Sequence, residues 1–185
     1  LSGFDAELPI LDRHREKFTA ENITLVLSSS HVVNLSDNKL FLVNYMEQEG
    51  IQGYIPTYST AEDAALDYIY KFVVKPMAGC RSQGVAVFDK ASEADHYRES
   101  ISEKNPIVQK YIGGTEYTCG TVSFNGNALG IIAMVRELRN GDTFRCKVDQ
   151  NPIVLKFVSD LISKIRPFGP CNFQLKFENN KPYIL

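Results

Sequence analysis

The sequence has no excess of basic residues and no long apolar run, and each absence excludes a class of protein. Its 20 Lys and Arg residues are balanced by 22 Asp and Glu residues. It therefore lacks the positive charge with which nucleic-acid-binding and membrane-surface proteins neutralise phosphates. No apolar run approaches the roughly 20 residues that span a bilayer. We expect neither a nucleic-acid partner nor a membrane partner.

Paired cysteine motifs are also missing. The four cysteines form no CxxC pair and no cysteine–histidine cluster with the spacing of a zinc site. With no recognisable signal peptide, this pattern is typical of reduced thiols in a cytoplasmic protein. The chain begins without Met and closes on a strand-like run at 182–185, so we expect a fragment of a longer protein or disordered ends.

What the sequence does contain is the pattern of a mixed α and β protein. With 185 residues, 44% of them hydrophobic, it can form one domain or two small lobes. Apolar spacing predicts helices at about 8–19, 61–70, 91–101 and 152–165. It also predicts a helix that is capped by Ser36 or Asp37, runs through Met46 and is ended by Glu49-Gly50, with Gly50 in the C′ position. It predicts strands at 23–27, 72–75, 85–88, 106–112, 116–124, 129–137, 172–178 and 182–185.

A lysine ends the apolar strand at 72–75. Pro76 follows Lys75 and cannot donate the next hydrogen bond of a sheet, so the ammonium lies at a strand end. The loop at 77–84 comes next, and its glycines would let backbone N–H groups converge on phosphate oxygens. It lacks the GxxxxGK[ST] pattern of a Walker A motif. Two interpretations are open here: a phosphate-binding lysine, or a hairpin whose terminal lysine reaches solvent.

A second candidate segment is the strand before Gly113-Gly114, which is followed by Glu116 at the start of the next strand. From the residues alone, Lys110 and Glu116 are either functional or an exposed pair at a strand end. The glycine pair also provides a plausible boundary between two lobes.

Four segments, in this order, resemble the ATP-grasp family. They are HVVNLSDNKLFLVNYMEQEGI at 31–51, FVVKPMAGCRSQGVAVF at 72–88, VQKYIGGTEYT at 108–118 and GPCNFQLKFENNKPYIL at 169–185. Their common order over nearly the whole chain makes chance agreement improbable. Within the family, the nearest resemblance is to the carboxylate-amine ligases and the large-subunit group of carbamoyl-phosphate synthase.

The resemblance implies an α/β (α+β) ATP-grasp fold, in which two α+β lobes hold a nucleotide between them. Residues 1–35 would be the C-terminal part of a preceding α/β domain. Residues 36–112 would form the N-terminal lobe, with a lid at about 60–112, and 113–185 a truncated C-terminal lobe. We therefore expect the strands at 72–88 and at 171–185 to lie in separate sheets.

The resemblance also implies how ATP binds. Lys39 and Lys75 match the family's two phosphate-binding lysines, and the loop at 77–84 would close over the phosphates. That loop departs from the Gly- and Ser-rich family pattern, which puts tight closure in doubt, although Arg81 could supply a cation. Backbone groups of Lys110 and Ile112 would bind the adenine edge. The residues expected at ATP are Lys39, Lys75, Gly79, Arg81, Ser82, Gly84, Gln109, Lys110, Tyr111, Ile112 and Glu116.

Among these, Glu116 matches the acid that accepts hydrogen bonds from the ribose hydroxyls. Arg136 lies where the family often places a basic group that faces phosphate or substrate, although an exposed arginine would fit the pattern equally well.

The metal expected with ATP is Mg²⁺ or Mn²⁺, and the resemblance assigns Gln174 to it as an oxygen ligand. The alternation along 171–178 turns Gln174 and Glu178 to the polar face, which in most proteins meets solvent. Glu178 would lie about 13 Å from Gln174 along the strand, too far to share an ion. In the family, the bridging carboxylate comes in a Glu-x-Asn segment, expected just after Leu185. We therefore expect no catalysis from residues 1–185 alone, and the resemblance assigns no catalytic residue within them.

The implied activity of the intact protein is that of an ATP-dependent ligase. It would activate a carboxylate or bicarbonate as an acyl phosphate, which an amine or ammonia then attacks, as in carbamoyl-phosphate synthase. The alternatives are an amino-acid or peptide ligase of the same fold and a non-catalytic nucleotide-binding module. Its partners would be small-molecule carboxylates and amines, and the sequence leaves open a homo-oligomer or a partner subunit.

Overall fold

The computed structural model describes residues 4–78, 83–139 and 141–185, and these contain two separate antiparallel sheets with helices packed against them. The strands at 72–88 and at 171–185 lie in different sheets, which confirms the expected separation. The helices are α1 Leu8–Arg13, α2 Arg15–Ala20, α3 Ser30–Asp37, α4 Lys39–Gln48, α5 Ala61–Leu66, α6 Ala91–Ser100 and α7 Pro152–Ile165. The strands are β1 Thr57–Tyr58, β2 Phe72–Pro76, β3 Ala86–Phe88, β4 Pro106–Lys110, β5 Thr115–Phe124, β6 Asn127–Arg139, β7 Asp142–Val148, β8 Gly169–Glu178 and β9 Lys181–Ile184.

The first sheet has the strand order β1-β4-β2-β3 and is covered on one face by α5 and α6. Phe72, Val74 and Val108 point to the helices and are buried in one apolar cluster with alanines of α5 and α6. Because side chains alternate along a strand, Lys75 and Gln109 lie on the opposite face. This second face of the first sheet carries the predicted phosphate lysine.

The second sheet has the strand order β7-β6-β5-β8-β9, and α7 packs against it. Asn151 caps α7 by accepting hydrogen bonds from the N–H groups of Ile153 and Val154, and Pro152 occupies its first turn. The apolar residues of α7 recur at helical spacing and meet the inward face of the sheet. The buried residues in this contact are Tyr117, Cys119, Ala133, Val154, Val158, Leu161, Ile162, Ile165, Phe173, Leu175 and Ile184.

Two earlier helices join the same core. Val32 and Leu35 of α3 and Met46 of α4 are buried in the cluster that α7 forms with the second sheet. Residues on both sides of the predicted boundary at 35/36 thus share one core. The division into 1–35, 36–112 and 113–185 stays a prediction.

Two predictions for the N-terminal part are wrong. Residues 23–27 form no strand, and Ile23 and Val26 are 51% and 40% exposed, because no neighbouring strand pairs with this alternating segment in the described residues. The predicted helix at 8–19 is interrupted at His14, whose φ and ψ of −105° and 12° leave the helical region.

The predicted helix start at Ser36 or Asp37 is also wrong. Both residues belong to the end of α3, which the sequence did not predict. The cap of α4 is Asn38, whose Oδ1 accepts a hydrogen bond from the N–H of Phe41 at 2.9 Å. The predicted C′ position of Gly50 is confirmed, since Gly50 follows the cap residue Glu49 with a φ of 63°, although α4 runs to Gln48 rather than Met46.

The two hairpin turns of the second sheet are confirmed. Asn125 and Gly126 have φ values of 50° and 80°, and Asn179 and Asn180 have 50° and 58°. Positive φ at both central residues is the mark of a two-residue type I′ turn. The same part of the chain also contains β7, which the sequence did not predict. The described cysteines, Cys119, Cys146 and Cys171, are free, as expected. No helix within the described ranges has the length and apolarity needed to cross a membrane.

Candidate functional site

Lys75 has a buried side chain on the face of the first sheet that points away from α5 and α6. Its residue is only 7% exposed, and the pKa of Lys75 is lowered from its usual 10.5 to about 7. Burial is the largest cause, the charge of Lys39 adds to it, and the carboxylate of Glu116 opposes it. The interpretation as a hairpin lysine that reaches solvent is therefore wrong. A negatively charged ligand would stabilise the charged form of such a lysine.

Lys39 lies next to Lys75 because α4 begins at the end of β2. Both the backbone N–H and the Nζ of Lys39 point to the carbonyl oxygen of Met77, at 3.2 Å and 3.4 Å. The N-terminus of a ten-residue helix is thereby placed beside the start of the predicted phosphate loop. The structure brings together the two lysines that are 36 positions apart in the sequence.

Of the predicted loop residues, Gly79, Arg81 and Ser82 lie outside the described residues. Gly84 is described and has a φ of 71°. A Cβ at this position would stand 3.1 Å from Cγ of Pro76, so Gly84 lies close to the end of β2. Both its backbone conformation and this contact favour glycine.

The segment from Lys110 to Ile112 has backbone groups that the sheet does not use. The N–H of Lys110 donates to the carbonyl of Pro56 at 3.2 Å, but Pro56 has no N–H to return to the Lys110 carbonyl. Within the described ranges, the N–H of Ile112 makes no backbone hydrogen bond. An acceptor on Lys110, the last residue of β4, and a donor on Ile112, two residues further on, therefore lie on the same side of the chain.

The side chains of this segment have different surroundings. Nζ of Lys71 lies 4.9 Å from the ring centroid of Tyr111, and the Lys71 carbonyl accepts the Tyr111 N–H at 2.9 Å. Gln109 is 4% exposed, and its Nε2 donates to Thr57 Oγ1 at 2.8 Å. Gln109 thus fastens β1 to β4, and its predicted part in nucleotide binding stays a prediction. Lys110 is exposed.

Glu116 is held by two cations on the neighbouring strands. Nε and Nη2 of Arg136 each lie 2.8 Å from its Oε1, and Nζ of Lys176 lies 3.1 Å from its Oε2. Glu116 and Arg136 have side-chain exposures of only 12% and 10%. The interpretation of Glu116 as an exposed strand-end charge is therefore wrong. Lys176 is a further residue of this site that the sequence does not predict, because the alternation along 171–178 indicates only that it lies on the polar face of the strand.

Gln174 is exposed on the same face of the second sheet as Glu116. It lies opposite Thr118, whose hydroxyl donates to Oδ1 of Asn172 at 2.7 Å. Across the described ranges, no three His, Cys, Asp or Glu side chains are grouped so that they could hold a metal ion. A single neutral amide does not form a site for Mg²⁺ or Mn²⁺. The metal-binding role of Gln174 stays a prediction.

Comparison with solved structures shows proteins of the same fold. D-alanine–D-alanine ligase from Bacillus anthracis in complex with ATP has a TM-score of 0.71 and 20% identity, with 100% of this chain and 64% of the ligase covered. L-amino acid ligase from Bacillus licheniformis has a TM-score of 0.71 and 20% identity, with 100% and 46% covered. A biotin carboxylase–ATP complex from Campylobacter jejuni has a TM-score of 0.76 and 17% identity, with 96% and 45% covered.

The chain therefore spans less than two thirds of the length of these proteins. A comparison with curated protein sequences gives no match. The family model of the ATP-grasp domain matches residues 36–185, which include all of the site residues described above. By this match and by its fold, the chain belongs to the ATP-grasp family.

Proposed function

We propose that this chain is the nucleotide-binding part of an ATP-dependent ligase. The observation that carries the proposal is the buried Lys75, which shares its surroundings with Lys39 and Glu116. A buried ammonium with a lowered pKa needs an anionic partner to become fully charged. The phosphates of ATP would supply that partner, and two lysines would share their charge.

The backbone edge at Lys110 and Ile112 supports adenine as the base. The exocyclic amino group of adenine donates a hydrogen bond, and the neighbouring ring nitrogen accepts one. The Lys110 carbonyl and the Ile112 N–H offer the complementary acceptor and donor. Tyr111 lies between these two residues in the sequence and is half-buried. Its side chain would form one wall of the base pocket.

Glu116 supports a ribose contact with one restriction. A carboxylate offers about four lone-pair positions on its two oxygens. Among the described residues, the two nitrogens of Arg136 occupy the positions of Oε1, whereas Lys176 alone approaches Oε2. The ribose hydroxyls would therefore donate to Oε2. Arg136 would act by fixing the carboxylate, and its predicted contact with phosphate or substrate would require it to leave Glu116.

In the proposed reaction, a carboxylate oxygen attacks the γ-phosphorus of ATP, and ADP leaves. The resulting acyl phosphate is attacked at its carbonyl carbon by an amine, and phosphate leaves. Gln174 would offer one oxygen ligand to Mg²⁺, which when bound would reduce the charge on the phosphates. The residues described here would bind and orient the nucleotide: Lys39 and Lys75 its phosphates, the 110–112 edge its base, and Glu116 its ribose.

For the acceptor we propose bicarbonate or a carboxylate, with ammonia or an amine as the nucleophile, as in carbamoyl-phosphate synthase. An amino-acid or peptide ligase is the second candidate. It is favoured by the similarity of the fold to a D-alanine–D-alanine ligase and an L-amino acid ligase. Fold alone does not distinguish the two.

Hydroxylamine trapping in the full-length protein tests the proposal. Hydroxylamine converts an acyl phosphate into a hydroxamate, so ATP with the correct carboxylate should give a coloured iron complex, whereas ATP with bicarbonate and ammonia should give carbamate, with release of ADP and phosphate. ATP binding is measured separately by calorimetry. Absence of ATP binding would refute the nucleotide site, whereas binding without any trapped product would favour a non-catalytic module.

A further inference from the structure

The turn between β4 and β5 is attached to the end of β8 by a side chain that has no role in the proposed nucleotide contacts. Oε1 of Glu178 accepts a hydrogen bond from the backbone N–H of Gly113 at 2.8 Å. Glu178 is half-buried and lies 65 residues further along the chain. The contact therefore joins the connection between the two sheets to the second sheet.

The fit around this contact is tight. A Cβ at Gly113 would stand 2.7 Å from Oε1 of Glu178, closer than Cβ atoms approach other atoms in proteins. Gly114 has a φ of 73°, and a Cβ there would collide with the carbonyl oxygen of Phe177. The two glycines thus let the chain lie directly on the end of β8, where the carboxylate can reach the Gly113 N–H.

Gly113 follows Ile112 directly, so the bond to Glu178 restrains the backbone that presents the Ile112 N–H. The neighbouring Tyr111 N–H is fixed by the carbonyl of Lys71 on the other side. The segment is therefore held on both sides, once by Lys71, which directly precedes β2, and once by Glu178 at the end of β8. A hydrogen bond to a carboxylate is among the stronger ones available to a backbone N–H.

We propose that Glu178 is a positioning residue for recognition of the adenine base. This inference rests on the proposed function, because it assigns the base to the 110–112 edge. Glu178 does not touch the nucleotide; it holds Gly113 so that the Ile112 N–H and the Lys110 carbonyl face the base together. Loss of the contact between Glu178 and Gly113 should therefore reduce the discrimination between bases more than it reduces the contribution of the phosphates to binding affinity.

The experiment measures Kd for ATP and for inosine triphosphate, whose base has a carbonyl where adenine has the amino group. Wild-type protein should prefer ATP, because the Lys110 carbonyl would face an acceptor in the inosine nucleotide. The selectivity ratio is the Kd for inosine triphosphate divided by the Kd for ATP. Glu178→Ala should lower this ratio about tenfold, which is the effect of one lost hydrogen bond. Glu178→Gln keeps an acceptor oxygen and should restore most of the ratio. Glu137→Ala, at an exposed glutamate of β6, is the matched control and should leave the ratio unchanged.

A second variant changes the other partner of this hydrogen bond, Gly113. Gly113→Ala keeps the carboxylate but pushes it away, so it should lower the ratio in the wild-type background. In the Glu178→Ala background it should have little further effect, because the next atom, Cε1 of Tyr111, is 3.7 Å away. If Glu178→Ala does not fold, Gly113→Ala provides the test by itself.

The outcomes separate the two proposals. Absence of ATP binding by the wild-type protein overturns both the proposed function and the role of Glu178. If the wild-type protein prefers ATP and Glu178→Ala retains that preference, the proposed function stands and the positioning role is wrong. A lower ratio that Glu178→Gln restores, together with the non-additive effect of Gly113→Ala, supports it.

Discussion

Arg136 and Glu116 form a close ion pair across β6 and β5, in which Nε and Nη2 of the guanidinium each lie 2.8 Å from the same carboxylate oxygen. Both side chains are nearly buried, with exposures of 10% and 12%. Lys176 approaches the second oxygen at 3.1 Å. A pair that is so little exposed differs from a surface salt bridge, because removal of one partner leaves a desolvated charge.

We therefore expect Arg136→Met to lower the free energy of unfolding by about 3 kcal/mol. The control is Lys156→Met in α7, where Lys156 and Asp160 form a pair with exposures of 75% and 60%. That substitution should change stability by less than about 1 kcal/mol. Urea denaturation measures both. Equal effects of the two substitutions would show that burial does not strengthen the Arg136 pair.

Lys75 should make stability depend on pH. Its folded pKa of about 7 is below its usual 10.5, so the unfolded chain binds more protons between these values. Stability should therefore rise with pH across that window, by up to about 1.4 kcal/mol per pH unit, and the penalty of charging Lys75 is fully present below pH 7. Lys75→Met removes the penalty, so it should be more stable than wild type at pH 6.5, with the difference shrinking toward pH 10. A difference that does not change with pH would contradict the lowered pKa.

The sequence predicts a helix or strand well where neighbouring residues determine its ends. The helix predicted at about 152–165 is confirmed as α7, because Asn151, Pro152 and a regular apolar spacing act within a few positions. Residues 23–27 show the limit of this reasoning. They alternate like a strand, but a strand requires a partner, and the sequence does not reveal that none pairs with it among the described residues.

The pairing of β5 with β6 at the candidate site could not be predicted from local patterns either. The Asn125-Gly126 turn pairs Phe124 with Asn127, and a regular hairpin would then place Val135 opposite Glu116. An irregularity between Val122 and Ser123 shifts the pairing by one residue, so that Tyr117 lies opposite Val135 and Arg136 comes opposite Glu116. No residue pattern in the sequence marks this bulge. The ion pair could therefore not be predicted, although both residues were selected from the family resemblance.

Lys75 should also control ATP affinity in the full-length protein. Lys75→Ala removes a charge-assisted contact with phosphate, worth about 1.5–3 kcal/mol, whereas Lys75→Arg should rescue only part of it. Lys90→Ala, at an exposed lysine before α6, is the control. Calorimetry at pH 8 in buffers of different ionisation enthalpy should also show proton uptake by the wild-type protein, because the phosphates raise the pKa of a lysine that is mostly neutral at that pH. Unchanged ATP affinity in Lys75→Ala would refute the assignment of Lys75 to the phosphates.

The last prediction concerns Gly114, at the start of the second sheet. Its φ of 73° and the position of the Phe177 carbonyl oxygen both oppose a side chain, so Gly114→Ala should lower the free energy of unfolding by about 1–3 kcal/mol. Gly120 lies in the middle of β5 with nothing within 4 Å of an added Cβ and without a positive φ. Gly120→Ala should therefore be neutral or stabilise the protein by up to about 1 kcal/mol, because alanine restricts the unfolded chain. Urea denaturation of both variants makes the comparison. If Gly114→Ala were as stable as Gly120→Ala, the turn would be able to move away from β8, and the close contact that places Gly113 beside Glu178 would not be a fixed feature of the protein.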